Sequence, residues 1–269
     1  MTSINAASIK QNIFYNFRVP YALITLVALV AIWEMTAKLS DVPAYMLPAP
    51  SDIMVAMQSM WGLLFIHSGI TLAEIGIGFV LATLIGVPLA TLITYSHVFD
   101  RAVYPLIVGS QTIPKVAIAP LLLAGFGYGL APKVAIVTLI AFFPIVINTV
   151  VGLRSVPAEM LHLARSMGAT PLQAFWKFRL PQALPSIFAG LKLASVLAVI
   201  GAVVAEFVGA NGGLGYIIMI AGSNFRMDQQ FAAIIFLSAI GMVFFWLIGL
   251  AERAMLPWHI SVRSASEKN

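Results

Sequence analysis

The chain has 269 residues, of which 61% are hydrophobic and 9% are charged, and its mean hydropathy is +0.98. Soluble globular domains carry about 25% charged residues, so this composition excludes a soluble domain and predicts an all-α protein that crosses the membrane several times. The net charge of +5 does not indicate nucleic-acid binding, because the basic residues lie at the ends of apolar segments. The absence of cysteine excludes disulfides and thiolate metal sites.

The length of the chain accommodates six membrane spans of roughly 20 residues each, together with their loops. We therefore expect a single transmembrane domain over residues 1–269 without an appended soluble module, and a first span that is not a cleaved signal peptide. A short interfacial helix is predicted at 51–61, and a short apolar helix is predicted after the glycine-rich turn near residue 212. The predicted spans are residues 19–37, 69–95, 102–129, 133–153, 186–208 and 231–251.

The third predicted span contains three prolines and four glycines, so an unbroken helix is not expected there. A kinked or two-part helix in a membrane needs protein or water beside its exposed backbone, which favours a position near a translocation pathway. Lys115 would lie about 20 Å deep if the helix continued from Arg101. Its ammonium could attract an anionic substrate, or it could pair with a carboxylate or reach the interface, and the sequence leaves both readings open. The pathway candidates are Gln111, Pro114, Lys115 and Glu206.

Three acidic residues lie near predicted outer ends of spans. Glu206 precedes the glycine-rich turn, and we expect it to cap backbone N–H groups of that turn rather than to bind substrate, although it remains a pathway candidate. Glu74 is interpreted as an ordinary carboxylate at the outer membrane edge. Glu34, near the end of the first span, carries no functional signal.

Residues 155–185 read as two short helices joined by a sharp turn. Gly168 is suited to the left-handed residue that ends the first helix. Thr170 and Gln173 have the spacing of a capping box at the start of the second, with Pro171 at its first position. Pro181 and Pro185 are predicted to stop or kink this second helix.

The charges of this segment place it outside the hydrocarbon, because Arg165, Lys177 and Arg179 would each cost roughly 3 kcal/mol at mid-membrane. By the positive-inside rule, the segment and both termini are predicted to be cytoplasmic. The outer side would carry Lys38, Lys133 and Arg226. The cytoplasmic side would carry Lys10, Arg18, Arg101, Arg154, Arg165, Lys177, Arg179, Arg253, Arg263 and Lys268.

Gly168, nine intervening residues and then the run from Phe178 to Pro181 resemble the cytoplasmic signature loop of permease subunits of bacterial ATP-binding-cassette importers. The resemblance implies a type I importer permease fold, in which the loop at 155–185 is a coupling loop that docks into a groove on a separate ATPase. The family pattern opens with Glu-Ala-Ala, of which only Ala164 is present, and Glu159 is a substitute one turn earlier. The coupling residues implied are Glu159, His162, Ala164, Arg165, Gly168, Ala169, Phe178, Leu180 and Pro181.

Three further segments, QTIPKVAIAPLLLAGFG, LPQALPSIFAGLKLA and VVAEFVGANGGLGYIIMIAG, resemble the subgroup that imports nitrate, sulfonates and taurine, with neighbours that import pyrimidine-like or aromatic compounds. The resemblance covers residues 48–259 and departs at Lys115, where anion importers often have proline. It implies a homodimer in the bacterial inner membrane, two copies of an ATP-binding subunit, and an external or periplasmic binding protein that delivers the small solute.

The sequence contains no phosphate-binding loop of the form GxxxxGK[ST] and no catalytic constellation, so we expect a permease and not an enzyme, with ATP and Mg²⁺ bound by the partner ATPase. No metal site or cofactor is predicted for this chain. The alternative function is a secondary transporter driven by an ion gradient, for which inverted repeats and paired intramembrane carboxylates would be the signals. The alternative role of the loop is that of an amphipathic hairpin that only anchors to lipid.

Overall fold

The computed structural model describes residues 21–40, 42–43, 45–209 and 211–257, and within them the regular structure is entirely helical. Four of the basic residues used for the predicted orientation, Lys10, Arg18, Arg263 and Lys268, lie outside these ranges. The α-helices are α1 (Tyr21–Leu39), α2 (Pro50–Ser59), α3 (Trp61–Tyr95), α4 (His97–Gly109), α5 (Ala119–Phe126), α6 (Leu130–Arg154), α7 (Ala158–Ser166), α8 (Pro171–Ala174), α9 (Leu180–Gly209), α10 (Leu214–Ser223) and α11 (Met227–Met255).

Within the described residues, four helical stretches are long and apolar enough to cross a membrane: Trp61–Tyr95, Leu130–Arg154, Pro171–Gly209 and Met227–Met255. The pair His97–Thr112 and Lys115–Phe126, bent by 94°, makes a fifth if it is counted as one span. The all-helical membrane fold is confirmed. The predicted count of six is not, because α1 is not among these stretches.

The short elements agree with the sequence better than the boundaries of the spans do. Helix α2 corresponds to the predicted interfacial helix, and α10 is the predicted short apolar helix. Helix α3 begins at Trp61 rather than at residue 69, because the residues from Trp61 to Ile66 are nearly all apolar and continue the helix. The last span is also longer than predicted at both ends.

Helix α6 is the centre of the fold and packs between α3 and α9. Buried residues of all three helices form one apolar cluster that includes Ile75, Val137 and Ala198. Small residues allow the close approach: a Cβ added at Gly78 of α3 would lie 2.5 Å from Cγ1 of Val137. Gly78 therefore lets α3 and α6 approach closely.

Helix α1 is attached to the start of α2 through Glu34. The Glu34 carboxylate accepts hydrogen bonds from the backbone N–H and the hydroxyl of Ser51, at 2.9 and 2.8 Å, and pairs with Lys38 at 2.6 Å. Glu34 therefore has a structural role that its sequence position did not reveal.

Candidate functional site

The segment 155–179 extends from one end of the helical bundle, which we call the loop end; the opposite end, where α6 begins and α9 finishes, is called the far end. In the loop, α7 follows Pro157 and runs from Ala158 to Ser166. Gly168 has φ +77°, and the Ala169 N–H donates to the Ala164 carbonyl at 3.0 Å. The predicted left-handed glycine turn is confirmed.

The start of the second loop helix also has the predicted chemistry. The Gln173 N–H donates to Oγ1 of Thr170 at 3.3 Å, and the Thr170 N–H donates to Oε1 of Gln173 at 2.9 Å, which is a complete capping box. Of the stop or kink predicted at Pro181 and Pro185, the stop is contradicted by the structure. A π-helical segment, Phe175–Arg179, joins α8 to α9, and the helix continues to Gly209.

The π-segment explains how the helix passes the prolines. The Leu180 N–H donates to the carbonyl of Phe175, five residues earlier, so the hydrogen-bond register has already changed where Pro181 lacks its N–H. The second helix of the loop and the fifth predicted span are therefore one continuous helical stretch, Pro171–Gly209.

The coupling residues implied by the family resemblance differ in accessibility. Glu159, His162, Arg165 and Gly168 are exposed, and a partner protein can contact them directly. Ala164 is buried beneath α7. The remaining four, Ala169, Phe178, Leu180 and Pro181, are half-buried.

Large apolar side chains on the same loop were not identified as functional from the sequence. Met167 is 78% exposed, and three others, Leu163, Leu172 and Trp176, are also exposed. Whether such side chains face the bundle or a partner depends on the tertiary arrangement, which the sequence does not show. Clusters of exposed apolar side chains outside the hydrocarbon are typical of a protein interface.

The loop is held against the end of α3 by aromatic contacts. The guanidinium of Arg179 lies 4.8 Å from the ring centroid of Tyr95, and the Phe175 ring packs edge-on to the same tyrosine at 5.9 Å. A cleft of about 270 Å³ opens beside this contact. Its lining residues are Tyr95, Leu161, Arg165, Ala169, Pro171, Ala174 and Arg179.

The third predicted span is broken, as its prolines and glycines indicate. Helix α4 ends at Gly109, two short 3₁₀ turns flank Pro114, and the helix axis bends by 94° across the break. Gln111 and Pro114 are exposed, and Lys115 is half-buried. Three of the four pathway candidates therefore lie together on an exposed surface, and Glu206 lies elsewhere.

Lys115 lies deep in the bundle, but not because a continuous helix carries it there as the sequence suggested. Its helix is not continuous from Arg101, but its ammonium lies 4.6 Å from the ring centroid of Phe143, near the middle of α6. At 1.5 Å per residue, Phe143 is about 20 Å from the start of α6, so Lys115 lies at mid-height of the bundle. None of the ion pairs between described residues involves Lys115, so the carboxylate pairing that the sequence left open is not observed among them.

Glu206 lies at the far end and is fully buried. Its carboxylate accepts hydrogen bonds from the Thr71 hydroxyl, at 2.7 Å, and from the Gly215 N–H. Oγ1 of Thr71 in turn accepts from the Leu214 N–H at 2.8 Å. The predicted capping of the glycine-rich turn by Glu206 is confirmed.

Glu74 is not the ordinary carboxylate that the sequence suggested. It is fully buried within α3 and forms an ion pair of 2.7 Å with Lys133, which is also buried. The Lys133 ammonium donates a second hydrogen bond to the Gly212 carbonyl at 3.4 Å. The prediction was wrong because the two residues are 59 positions apart, and their pairing requires the packing of α3 on α6.

Residues 78–257 match the model of the family described as binding-protein-dependent transport system inner membrane component. This chain belongs to that family. It is an inner-membrane permease subunit of an ATP-binding-cassette importer, and ATP hydrolysis belongs to a separate subunit. The family does not favour the alternative of an ion-driven secondary transporter.

Similar permeases cover most of the chain. A formylaminopyrimidine transport permease of Halalkalibacterium halodurans is 42% identical over 231 residues, which cover 86% of this chain and 92% of that protein. A riboflavin transport permease of Chloroflexus aurantiacus is 38% identical and covers 88% and 90%. A putative aliphatic sulfonate permease of Bacillus subtilis is 33% identical and covers 87% and 85%.

The fold of the permease agrees with that of a solved importer. The inward-facing MetNI methionine transporter matches with a TM-score of 0.65 and 23% identity, over 73% of this chain and 98% of that chain. The type I importer permease fold implied by the sequence is thereby confirmed.

Proposed function

We propose that this permease forms, with a second copy of itself, the pathway by which a small nitrogen-containing heteroaromatic compound is imported. Two copies of an ATP-binding subunit dock on the coupling loops in the cytoplasm, and an external binding protein delivers the substrate. The observation that carries the proposal is the exposed break beside Lys115 and Phe143, where polar groups and an aromatic face meet at mid-height of the bundle.

The break supports a pathway between two copies for a physical reason. Lipid cannot satisfy the backbone groups released around Ile113 and Pro114, and a charged Lys115 is unfavourable in hydrocarbon. These residues are nevertheless exposed or half-buried on the surface of one chain. A second permease that faces this surface across a water-filled cavity removes the conflict.

The proposed substrate class is supported by the similar permeases and by the chemical groups on the exposed surface around the break. Two of the similar permeases transport heteroaromatic compounds, a formylaminopyrimidine and riboflavin. The exposed amide of Gln111 can donate to and accept from a ring nitrogen or carbonyl. The ring of Phe143 offers a face on which a flat molecule can stack if the Lys115 side chain moves aside.

A second substrate class, a small sulfonate anion, is favoured by one observation. The ammonium of Lys115 has no ion-pair partner among the described residues, so its charge is available to a passing anion. The similarity to the sulfonate permease agrees with this class.

The remaining part of the proposal is that the coupling loop faces the cytoplasm and that the ATPase docks on it. The exposed surface of α7 combines charged residues such as Glu159 and Arg165 with apolar ones such as Leu163, a mixture typical of protein interfaces. A lipid-anchored hairpin would direct its apolar residues to one face and its charges to the other. We favour docking because the capped turn holds the two short helices in a fixed relation.

The first experiment is purification of the tagged permease in mild detergent and mass measurement of the intact complex. Two identical permeases with two ATP-binding subunits are expected. A complex that contains a second, different permease would contradict the homodimer. The copurified binding protein is then screened by calorimetry against pyrimidines and against aliphatic sulfonates, and its preference decides between the two substrate classes.

Transport by a Lys115→Met variant separates the two substrate classes within the permease itself. In proteoliposomes supplied with the binding protein, loss of the ammonium should reduce uptake of a sulfonate by about tenfold, or about 1.4 kcal/mol, and uptake of a neutral heteroaromatic compound much less. Lys115→Arg, which keeps the charge, is the matched control. Equal losses for both substrates would contradict a role of Lys115 in charge selection.

A further inference from the structure

The far end of the bundle contains a buried cluster in which acidic groups outnumber basic ones. Glu74 and Glu206 are fully buried, and their only buried cationic neighbour among the described residues is Lys133, which is 7% exposed. With both carboxyls ionised, the cluster would carry a net negative charge in a dry environment. A buried net charge is strongly unfavourable, so the arrangement needs one more positive charge.

The hydrogen bonds show where that charge would lie. Both oxygens of Glu206 already accept, Oε1 from Thr71 and Oε2 from Gly215. Oε1 of Glu74 accepts from Lys133, whereas Oε2 of Glu74 is buried without a hydrogen-bond partner among the described residues. Thr71, which donates to Glu206, lies one helical turn before Glu74 on the same face of α3, so the two carboxyl groups share one buried region.

We propose that Glu74 and Glu206 hold one proton between them, carried on Oε2 of Glu74 and donated to the Glu206 carboxylate. This proton gives the unpartnered oxygen a hydrogen bond and makes the cluster neutral, with one ammonium, one carboxylate and one carboxylic acid. Two carboxyls that share a buried site cannot both ionise without repulsion, and one bound proton is the usual result.

The other titratable groups around the cluster do not supply the missing charge. His67, on α3, faces the turn: its Nδ1 lies 2.8 Å from the Gly213 nitrogen and 3.2 Å from the Gly213 oxygen. The His67 ring stacks on Tyr216 of α10. From α6 the group facing the carboxyls is Lys133, and from α9 it is Glu206 itself.

The bound proton has a structural consequence. Through its carboxyls and their partners, the cluster joins α3, α6 and α9 to the glycine-rich turn and to α10. Loss of the proton would place two negative charges in contact and loosen the turn. The proton therefore stabilises the packing of the helices and the glycine-rich turn at the far end of the permease. This effect does not depend on which substrate is transported.

The test is the pH dependence of thermal unfolding of the intact permease–ATPase complex in lipid nanodiscs. We expect the wild-type midpoint to fall as the pH rises, because a proton bound in the folded state stabilises it only while it remains bound. The Glu74→Gln and Glu206→Gln variants carry an amide in place of the acid and should lose most of this dependence. Glu34→Gln is the control: this carboxyl is partly exposed, and the variant should keep the wild-type pH dependence although the loss of the Ser51 and Lys38 contacts lowers its midpoint. Equal pH dependence in the wild type and in both cluster variants would overturn the proposal.

Infrared difference spectra provide a second readout that does not depend on stability. The wild-type complex should show the C=O stretch of a protonated carboxyl, which shifts in D₂O, and each of the two cluster variants should lack it. A band that persists in both variants, or a wild type without such a band, would overturn the proposal.

Discussion

Gly213, in the turn at the far end, does not tolerate a side chain. Its φ is +112°, and an added Cβ would lie 2.0 Å from Oε1 of Glu206. A side chain there would strain the backbone and displace a buried carboxylate that holds two donors. The glycine is required for close approach as well as for conformation.

Gly213→Ala should therefore destabilise the permease by about 1–3 kcal/mol or more, since unfavourable backbone angles alone cost that much. The measurement is the thermal midpoint of the purified complex. Gly76→Ala is the matched control, because its Cβ meets nothing within 4 Å and the residue lies inside α3. Similar midpoints for both variants would show that the turn is not seated on Glu206 as described.

Gly168 provides a different test, because its φ is +77° while an added Cβ would meet nothing within 4 Å. The strain of Gly168→Leu is confined to the backbone, about 1–2 kcal/mol for a left-handed residue, and acts on the turn between α7 and α8. We expect ATP hydrolysis to continue while transport per ATP falls several-fold, measured in proteoliposomes.

Asparagine tolerates the left-handed region, so Gly168→Asn is the control and should retain most of the coupling. Normal transport by the leucine variant would remove the turn from the coupling mechanism. Equal loss in both variants would indicate that the partner requires a bare backbone at this position.

At the scale of single residues, the sequence was informative wherever the chemistry is local. The glycine turn at Gly168 and the capping box of Thr170 and Gln173 depend on neighbours within a few positions, and both are confirmed. The pair of Glu74 and Lys133 could not be predicted, because nothing in either local sequence indicates which helix the other will contact. Glu74 and Lys133 have sequence positions near the predicted ends of their spans, but in the folded protein both are buried and form an ion pair.

At the scale of elements, the continuity of α8, the π-segment and α9 is the feature that the sequence misjudged. Two prolines within five positions normally indicate a break. The π-segment places the irregular hydrogen bonding ahead of Pro181, and Pro185 is accommodated inside α9. The coupling loop is consequently joined by one continuous helical stretch to α9, which carries Glu206 near its end.

The second connection between the loop and the bundle passes through Tyr95, at the end of α3. Its ring contacts Arg179 and Phe175 of the π-segment. Tyr95→Ala should lower transport per ATP by a few-fold, since an exposed cation–π contact contributes about 0.5–1 kcal/mol.

Tyr95→Phe keeps the ring and is the control. The measurement is substrate uptake and ATP hydrolysis in the same proteoliposomes. If Tyr95→Ala couples as efficiently as the wild type, the connection through α9 alone transmits the motion of the loop.

At the scale of the molecule, three groups of polar or charged residues among the described ones lie at three different heights along the helical bundle. The loop end carries exposed charged and apolar groups, the middle carries the broken span with Lys115, and the far end carries the buried carboxyls. Helix α6 extends past all three, from Lys133 at one end to Arg154 at the other. The composition predicted the membrane class and the prolines predicted the break, but the placement of the break on the surface required the packing.

The exposure of the break leads to a prediction about water. If a second copy and a water-filled cavity cover it, a cysteine at Gln111 should react with a charged, membrane-impermeant thiol reagent from at least one side of the membrane. The chain contains no native cysteine, so labelling has no background from the permease itself. Met242→Cys is the control, because Met242 is exposed on the apolar surface of α11 and should face lipid.

The rate at which the thiol reagent labels residue 111 should change when ATP or its non-hydrolysable analogue is added. The reason is that closure of the ATPases alters access to the cavity between the copies. The rate at residue 242 should remain low and constant, since a charged reagent does not enter hydrocarbon. Equal and low labelling at both positions would mean that lipid or tightly packed protein covers the break, and the pathway would then have to lie elsewhere in the permease.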